Sequence, residues 1–408
     1  MGTLVCTHLF PSAAIAGQWD LGAEIAAELR GFPSDARLEE QFDHWQPSVT
    51  IQPDLRWEND DRTHQIVLTP FLRLDSQDNE RTHFDLREAY YRYNADNNWS
   101  VTIGAAKVFW GRTESRHLVD IINQTDAIED IDEEDKLGQP MVNLTFLNDW
   151  GTLDLFVLSG FRDRTFPGAD GRLRFDLIID TDDPIFTRDG RRAAPDYAVR
   201  YSHYIGNWDF GISAFHGTSR EARFAVSQTG TNLRPVYDRI TQASLDLQYT
   251  KDAWLWKLET IVRQGQGDRF VAAVAGFEYT LYQVLGSGYD LGLLTEIQYD
   301  GRDEGIVAEI LEDLPTLVTA APVTVANNDL FLGTRLALND AQDTAFLAGG
   351  TIDVEDQSTA LFIEAERRLG QNWTAELEAR LFFNIDETNI ANAFRDDDFV
   401  ALRLTRYF

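Results

Sequence analysis

The sequence predicts an all-β protein, a transmembrane antiparallel β-barrel of about 18 strands, with about 16 as the alternative count. Three observations lead to this prediction. Many segments of about ten residues alternate between apolar and polar side chains. Short polar turns and longer loops join these segments in alternation. No apolar run approaches the ~18 residues of a membrane-spanning helix. Because only every second residue of a barrel strand faces lipid, the low mean hydropathy of -0.31 is compatible with a membrane.

The predicted strands follow one another along the whole chain. In order they span 18–32, 47–58, 63–74, 82–93, 98–109, 141–147, 152–158, 195–204, 208–216, 237–249, 253–263, 269–281, 289–299, 329–338, 344–352, 357–368, 372–383 and 398–408. The segment 344–352 is weakly patterned, which is why about 16 strands remains the alternative. In 82–93 one parity carries Phe84 and Leu86 but also Glu88, so either a β-bulge switches the faces there or the register is wrong.

The alternation assigns side chains to two faces of the barrel wall. We expect the apolar face to contact lipid, including Leu21, Ile25, Leu29, Val49, Ile51, Leu55, Leu377 and Leu381. The opposite face forms the predicted pore wall, with Glu24, Glu28, Arg30, Asp54, Arg56, Glu376, Glu378 and Arg380. Aromatic residues near strand ends suit an interfacial girdle, among them Trp19, Trp57, Trp99, Trp208, Trp254, Tyr289, Tyr299, Trp373 and Tyr407.

The connections between strands alternate in kind. Those after the first, third, fifth, seventh, ninth, thirteenth and seventeenth strands are long, for example 110–140, 159–194, 217–236 and 300–328. The others are mostly short polar turns. This pattern is typical of outer-membrane barrels with both termini in the periplasm. We therefore expect short periplasmic turns, long extracellular loops and a single transmembrane barrel domain over residues 17–408.

The first residues suggest a targeting segment. A short apolar stretch precedes Ala14-Ile15-Ala16, which is followed by Gly17, as at a signal-peptidase site. No Lys or Arg occurs before Arg30, so the positive region of a signal peptide is missing. Residues 1–16 are therefore interpreted as a truncated signal peptide. The single cysteine, Cys6, leaves no disulfide framework.

The charge balance limits the partners. Asp and Glu number 67 against 36 Lys and Arg, for a formal net charge of -31. Binding of nucleic acid through its phosphates is excluded by this excess. Cationic and neutral partners fit better.

The final strand carries a resemblance to a known group of proteins. It reads Asp398-Phe399-Val400-Ala401-Leu402-Arg403-Leu404-Thr405-Arg406-Tyr407-Phe408. With Val400, Leu402 and Leu404 at alternate positions before a terminal Phe408, it resembles the C-terminal sorting strand of bacterial outer-membrane barrels. The resemblance implies a location in the outer membrane of a Gram-negative bacterium. It also implies outer-membrane lipid, lipopolysaccharide and the barrel-assembly machinery as partners.

A second resemblance is local. The segment 109–115, Phe-Trp-Gly-Arg-Thr-Glu-Ser, is followed by 120–124, Asp-Ile-Ile-Asn-Gln. Together they resemble the tryptophan-glycine loop of uncharacterised putative porins of proteobacteria. The resemblance implies a porin-like outer-membrane protein.

A barrel of about 18 strands leaves a water-filled lumen unless something plugs it. We therefore expect a diffusion channel for small solutes with mild cation preference, and many porins are trimers, so a homotrimer is one expected assembly. Loop 110–140 is the candidate constriction. Its apolar stretch, 118–122, would pack on the barrel wall and leave its charges facing water. The candidate constriction residues are Arg112, Glu114, Arg116, His117, Asp120, Asp126, Glu129, Asp130, Asp132, Glu133, Glu134 and Asp135.

Other functions were weighed against a channel. A plugged barrel acting as a receptor, adhesin or structural protein is the main alternative, and an acidic loop facing outward could bridge cations to lipopolysaccharide. We expect no enzyme activity, since among seven histidines only His216, near Ser219, suggests a dyad. No cofactor or metal is predicted. The spacing of Asp130, Asp132 and Glu134 would suit calcium, but the glycine and closing glutamate of an EF-hand are missing.

Overall fold

The computed structural model describes residues 17–95 and 97–408. These residues form 24 strands: β1 (Gly17–Gly31), β2 (Trp45–Asn59), β3 (His64–Asp75), β4 (His83–Ala95), β5 (Trp99–Ala106), β6 (Gln139–Asn148), β7 (Gly151–Leu158), β8 (Ile178–Ile179), β9 (Ile185–Phe186), β10 (Asp196–Ile205), β11 (Trp208–Thr218), β12 (Arg223–Val226), β13 (Asn232–Tyr237), β14 (Arg239–Lys251), β15 (Trp254–Gln264), β16 (Phe270–Leu281), β17 (Asp290–Asp300), β18 (Ile306–Leu311), β19 (Leu314–Thr319), β20 (Asn328–Ala337), β21 (Ala345–Asp353), β22 (Thr359–Arg368), β23 (Trp373–Phe383) and β24 (Phe399–Tyr407). Short 3-10 helices occur at Arg191–Ala193, Val284–Gly286 and Ile390–Phe394. None of the helices in this described part is long and apolar enough to cross a membrane.

Eighteen strands form one antiparallel sheet that closes on itself. On one side β1 pairs with β2, and on the other it pairs with β24, where Glu24 lies opposite Tyr407 and Gly31 opposite Val400. Because the first and last strands pair, the barrel has no open edge. The closed barrel confirms the prediction of about 18 strands. The alternative of 16 is wrong, since the weakly patterned segment 344–352 forms β21.

The two faces of the wall have opposite character. Leu21, Ile25 and Leu377 are 63%, 39% and 37% exposed on the outside, whereas Arg30 and Thr50 on the inner face are 4% exposed. In a soluble protein large apolar side chains are mostly buried. An apolar exterior around a charged interior is the arrangement of a barrel in lipid. It confirms the predicted lipid-facing side of the strands.

Strand β4 contains the predicted bulge. Thr69 of β3 pairs with Glu88, but the next residue, Pro70, pairs with Leu86, so Arg87 is the extra residue. Before the bulge Phe84 faces outward, and after it Glu88 points into the barrel. The switch of faces explains why neither parity of 82–93 is uniformly apolar.

The two rims of the barrel differ in their connections. At the short-turn rim, strands are joined by turns such as 149–150, 206–207 and 252–253. At the long-loop rim, the connections include 32–44, 107–138, 159–195, 219–238 and 301–327. The predicted alternation of turns and loops is therefore confirmed. Exposed aromatic side chains surround the short-turn rim as an interfacial girdle, among them Trp19, Trp208, Trp254, Trp373 and Tyr407.

The long loops build a second, smaller sheet. Strands β8, β9, β12, β13, β18 and β19 make six short segments at the long-loop rim, and β8 and β9 pair in parallel with β13. Their apolar core consists of Ile185, Ala225, Val236, Leu311 and Val318. No feature of the sequence predicted this sheet. The proposed signal peptide, residues 1–16, lies outside the described residues.

Candidate pore and constriction loop

The connection between β5 and β6, residues 107–138, is called the inner loop because its apolar stretch packs inside the barrel. Leu118, Val119, Ile121 and Ile122 are buried. They join one apolar cluster with inward-facing side chains of the barrel wall. The wall residues of that cluster include Phe156 of β7, Ala198 of β10, Phe215 of β11, Ile261 of β15 and Val274 of β16. Contact with five wall strands holds the loop against one half of the lumen.

A buried wall carboxylate fixes the backbone of the loop. Glu259 of β15 accepts hydrogen bonds from the backbone N–H groups of Arg112 (2.6 Å), Thr113 (3.1 Å) and Val119 (3.2 Å), and from the Thr113 hydroxyl (2.8 Å). Loop N–H groups have no regular partners of their own, so these bonds satisfy donors that would otherwise be buried unpaired. Glu259 therefore ties both ends of the segment 112–119 to the wall.

A second wall carboxylate binds the tip of the same segment. Glu296 of β17 accepts the backbone N–H groups of Glu114 at 2.9 Å and Ser115 at 2.8 Å, and the Ser115 hydroxyl at 2.6 Å. The side chain of Glu114 in turn pairs with Arg335 of β20 at 2.6 Å and faces Lys257 of β15 at 3.6 Å. The loop tip thus reaches across to β20.

The two arginines predicted for the constriction are held by acidic residues. Arg112 lies 3.2 Å from Asp246 and 3.0 Å from Asp209. Arg116 lies 3.0 Å from Asp300. These pairs connect the loop to β11, β14 and β17, strands that are far apart in sequence. Both arginines therefore hold the loop against the barrel wall.

The acidic part of the loop crosses to the opposite wall. Asp126 pairs with Arg87 at 2.6 Å. Glu129 receives hydrogen bonds from Arg73 at 2.9 and 3.0 Å, and Asp130 binds Arg30 at 2.8 Å. The expectation that the acidic group faces water is wrong for these three carboxylates. A buried carboxylate needs a cationic partner, and the arginines of β1, β3 and β4 provide one.

The cations near Asp126 also set its ionisation. Burial by itself raises the pKa of Asp126, but the neighbouring His83 and Arg87 lower that pKa to about 2. His83, Asp126 and Glu129 place ligand-type atoms within 4.8 Å of one another. Arginines already engage both carboxylates of this group, so its chemistry is that of an ion-pair network.

The remaining predicted residues link the two arms of the loop and reach β23. His117 lies 3.2 Å from Glu134. Burial by itself lowers the pKa of His117, but the carboxylates of Glu134 and Glu259 raise that pKa to about 10. The other ion pairs are Asp120–Lys136 (3.6 Å), Asp132–Arg380 (2.9 Å) and Glu133–Arg164 (2.6 Å). Asp135 is exposed and has no ion pair within the described chain. The three residues whose spacing would suit calcium, Asp130, Asp132 and Glu134, are thus divided among three different cationic side chains.

The predicted wall residues lie on the inner face, but they differ in how much they are neutralised. Glu28 lies between Arg81 at 2.9 Å and Arg73 at 3.3 Å. Asp54 pairs with Arg56 (3.0 Å), Glu378 with Arg380 (2.7 Å) and Glu376 with Arg403 (3.8 Å), while Glu24 forms no ion pair with the described residues. The inner loop reaches this part of the wall through Arg380, which pairs with both Glu378 and Asp132.

A cavity of about 1020 Å³ lies between the inner loop and the lumen face of β20–β23, which the loop reaches through the ion pairs Glu114–Arg335 and Asp132–Arg380. We call that face the open wall. On the loop side the cavity is lined by Glu114, Arg116, His117, Asp132 and Glu134, and on the open wall by Phe331, Leu347, Phe362, Glu364, Glu366, Glu376, Glu378 and Arg380. Residues of the long loops, including Val325 and Phe394, line its other end. Seven of the predicted constriction residues and three of the predicted wall residues, Glu376, Glu378 and Arg380, therefore line one space, whereas the wall residues of β1 and β2 lie outside its lining.

Several residues of this site were missed from the sequence, above all Glu259, Glu296, Arg73 and Arg87. Glu259 and Glu296 do carry a signal, since each is an acidic residue on the inward parity of a strand whose outward parity is mostly apolar. Nothing in the sequence shows which loop donors they bind. Arg87 was missed because it is the bulge residue.

Two further predicted features are placed by the structure. Val400, Leu402 and Leu404 of the final strand are exposed on the lipid side, as is the terminal Phe408. His216 hydrogen bonds with Thr241 at 2.8 Å and Arg239 at 2.6 Å, whereas Ser219 donates to Gln266. The two residues considered as a dyad are thus engaged with different partners.

Solved structures share this architecture. Pseudomonas aeruginosa OccK11 (OpdR) matches with a TM-score of 0.54 and 10% identity over 96% of each chain. Pseudomonas aeruginosa OccK2 (OpdF), solved in complex with glucuronate, matches with a TM-score of 0.53 and 11% identity over 96% of this chain and 97% of that one. A BenF-like porin from Pseudomonas fluorescens Pf-5 matches with a TM-score of 0.52 and 9% identity over 95% and 98%. No protein-family model and no curated protein matches the sequence. The closed barrel, its apolar exterior and these matches show that the chain has the porin-like fold of a Gram-negative outer-membrane β-barrel.

Proposed function

We propose that the chain forms a water-filled channel through which small solutes diffuse across the outer membrane. The observation that carries the proposal is the cavity between the inner loop and the open wall. Its lining runs from Phe394 in the loop between β23 and β24 to Glu376, well inside the barrel wall. Because the apolar stretch of the loop packs against one side of the lumen, the cavity leaves a path along the other side.

The inner loop sets the narrowest part of this channel. Arg116 and His117 on the loop and Glu364 and Arg380 on the wall line the same cavity from opposite sides. Opposite charges held across a narrow space produce a transverse field, which orders water and selects among dipolar solutes. Because wall carboxylates hold the loop backbone, the field has a fixed geometry.

The cavity favours small polar solutes and, among ions, cations. Twelve Asp and Glu side chains line it, against eight Lys and Arg. An excess of one charge sign in a confined space raises the local concentration of the opposite ions. OccK2, with the same fold, was solved with glucuronate, an anion that supports the proposed solute size for a cavity of about 1020 Å³ and not the cation preference.

Deletion of residues 113–135 tests the channel and the role of the loop together. Single-channel conductance of the purified protein in planar bilayers should rise severalfold, because the deletion removes the obstruction and leaves β5 and β6 intact. A matched control deletes 306–319, the β18–β19 hairpin, which does not line the cavity. That variant should keep the parental conductance.

Two results would contradict the proposal. Unchanged conductance after removal of 113–135 would show that the loop does not narrow the pore. Absence of channel events in both the parental chain and the loop deletion would indicate a plugged barrel that serves as a receptor, adhesin or structural protein.

A further inference from the structure

Three inward-facing side chains form a row across β17, β20 and β21. Gln298 lies directly opposite Asp329, and Asp329 lies directly opposite Asp353. Directly opposite residues on one face of an antiparallel pair have their Cβ atoms about 4.5–5.5 Å apart. Each of the three side chains is 3% exposed, and all three line the cavity. Their oxygen atoms can therefore converge on one point at its edge.

The two carboxylates of this row have no cationic partner. Among residues 17–95 and 97–408, neither Asp329 nor Asp353 forms an ion pair. Asp329 accepts one hydrogen bond, from the Asn327 N–H at 2.8 Å, and Asp353 accepts the N–H groups of Glu355 and Asp356 on a single oxygen. Within the described residues, the second oxygen of each carboxylate accepts no hydrogen bond. Two adjacent buried carboxylates repel each other unless a cation or a shared proton lies between them.

The neighbouring arginine does not fill this role. Arg116 pairs with Asp300 at 3.0 Å and donates to the backbone oxygen of Ala326 at 3.3 Å. Its guanidinium is therefore engaged at the edge of the row. The negative charge of Asp329 and Asp353 is therefore available to bind a cation from solution.

Gln298 independently points to a ligand. Its side-chain oxygen is buried and has no hydrogen-bond partner within the described chain. A buried amide oxygen is nearly always paired, so an orphaned one beside two carboxylates indicates an absent positive group. The amide oxygen and the free carboxylate oxygens form a set composed of oxygen atoms alone.

We propose that Gln298, Asp329 and Asp353 bind a hard divalent cation, of which Ca²⁺ fits best. Calcium takes six to eight oxygen ligands from carboxylates, amide carbonyls and water, with flexible geometry. Gln298, Asp329 and Asp353 would supply the protein ligands, and water molecules from the cavity would complete the coordination of the ion. The site goes beyond the proposed channel function, and a bound Ca²⁺ would neutralise the two aspartates at the edge of the cavity.

Calcium titration of the purified barrel in detergent tests the site without reference to conductance. After treatment with a chelator, isothermal titration with CaCl2 should show one saturable site that depends on this row. Asp329→Asn and Asp353→Asn should each weaken binding at least tenfold, because each removes a charged ligand. Gln298→Glu should tighten binding several-fold, because it adds a third carboxylate. Glu278→Gln, which changes an inward-facing glutamate outside the cavity lining, should bind as the parental chain does.

Two further observations distinguish a loss of calcium binding from a failure of the variant to fold. Heat-modifiable mobility on SDS gels reports barrel formation for each variant, and the gain expected of Gln298→Glu cannot arise from misfolding. Absence of saturable binding by the parental chain would overturn the proposal. Equal affinity in the parental chain, Asp353→Asn and Gln298→Glu would overturn it as well, since the calcium would then bind elsewhere, for example at the exposed residues 132–135.

Discussion

Glu259 accepts four hydrogen bonds from the inner loop, and Glu296 accepts three. Hydrogen bonds to a charged acceptor contribute about 1.5–3 kcal/mol each, roughly twice the value of neutral ones. A connection of 32 residues without strands of its own would normally be mobile. Two charged acceptors on the wall therefore account for much of its fixed position.

Replacing Glu259 with glutamine should release the loop. The variant keeps the size of the side chain but loses the charge, and its amide N–H₂ group would face the loop donors. Trypsin cleavage after Arg112 and Arg116 should become roughly tenfold faster, because cleavage follows the population of the undocked loop. Glu278→Gln should be cleaved at the parental rate. Equal cleavage of the two variants would refute the role assigned to Glu259.

His117 makes loop docking depend on pH. Its pKa of about 10 in the folded protein exceeds the ordinary value of 6.5 because of Glu134 and Glu259. The protonated form is thus the one that stabilises the docked loop. This stabilisation is complete below about pH 6.5 and is lost as the pH rises through about 10. Open-channel current noise from loop motion should therefore increase between pH 7 and 10, and His117→Asn should abolish that pH dependence. An identical pH profile in His117→Asn would contradict the assignment.

At the scale of elements, the barrel strands could be predicted because the wall imposes one physical rule on each of them. Lipid on one side and charge on the other produce a period of two. The strand predicted as 98–109 ends at Ala106, where the alternation gives way to the inner loop. The register of this alternation shifts at Arg87, where the bulge adds a residue.

The loop sheet and the loop contacts could not be predicted in the same way. Strands such as β8 and β9 have two residues each, too few to show a period. The pairing of Asp126 with Arg87 and of Asp130 with Arg30 joins residues that are distant in sequence, and spacing alone carries no signal for it. The apolar stretch 118–122 did predict a loop inside the barrel, because its side chains could be buried by packing against the barrel wall.

The lipid-facing side of β1 allows a test at the level of the element. Ile25→Arg places a charge against lipid near the middle of the strand and should destabilise the barrel by roughly 2–4 kcal/mol. Glu24→Arg places the same side chain in the lumen and should cost much less. Guanidine unfolding in lipid vesicles, followed by tryptophan fluorescence, measures the difference. Equal destabilisation by both substitutions would refute the orientation of β1.

At the scale of the whole molecule, several arginines of the lumen form ion pairs with carboxylates of the inner loop. Arg30, Arg73 and Arg87 each bind a loop carboxylate, so the loop neutralises the wall it covers. The open wall keeps a different balance. Glu366 lies directly opposite Glu376, and no arginine pairs with Glu366 among the described residues. The open wall thus presents acidic side chains to the side where solutes would pass.

We therefore expect a channel with moderate preference for cations. In a tenfold KCl gradient, the sign of the reversal potential should show greater permeability to potassium than to chloride. The preference should be stronger at low salt, because the Debye length falls from about 10 Å at 0.1 M to about 3 Å at 1 M. Glu366→Gln removes an unpaired charge from the open wall and should lower the preference, whereas Glu387→Gln removes an exposed charge outside the cavity lining and should leave it unchanged. Chloride selectivity at low salt, or equal effects of the two substitutions, would show that the acidic residues of the open wall do not govern permeation.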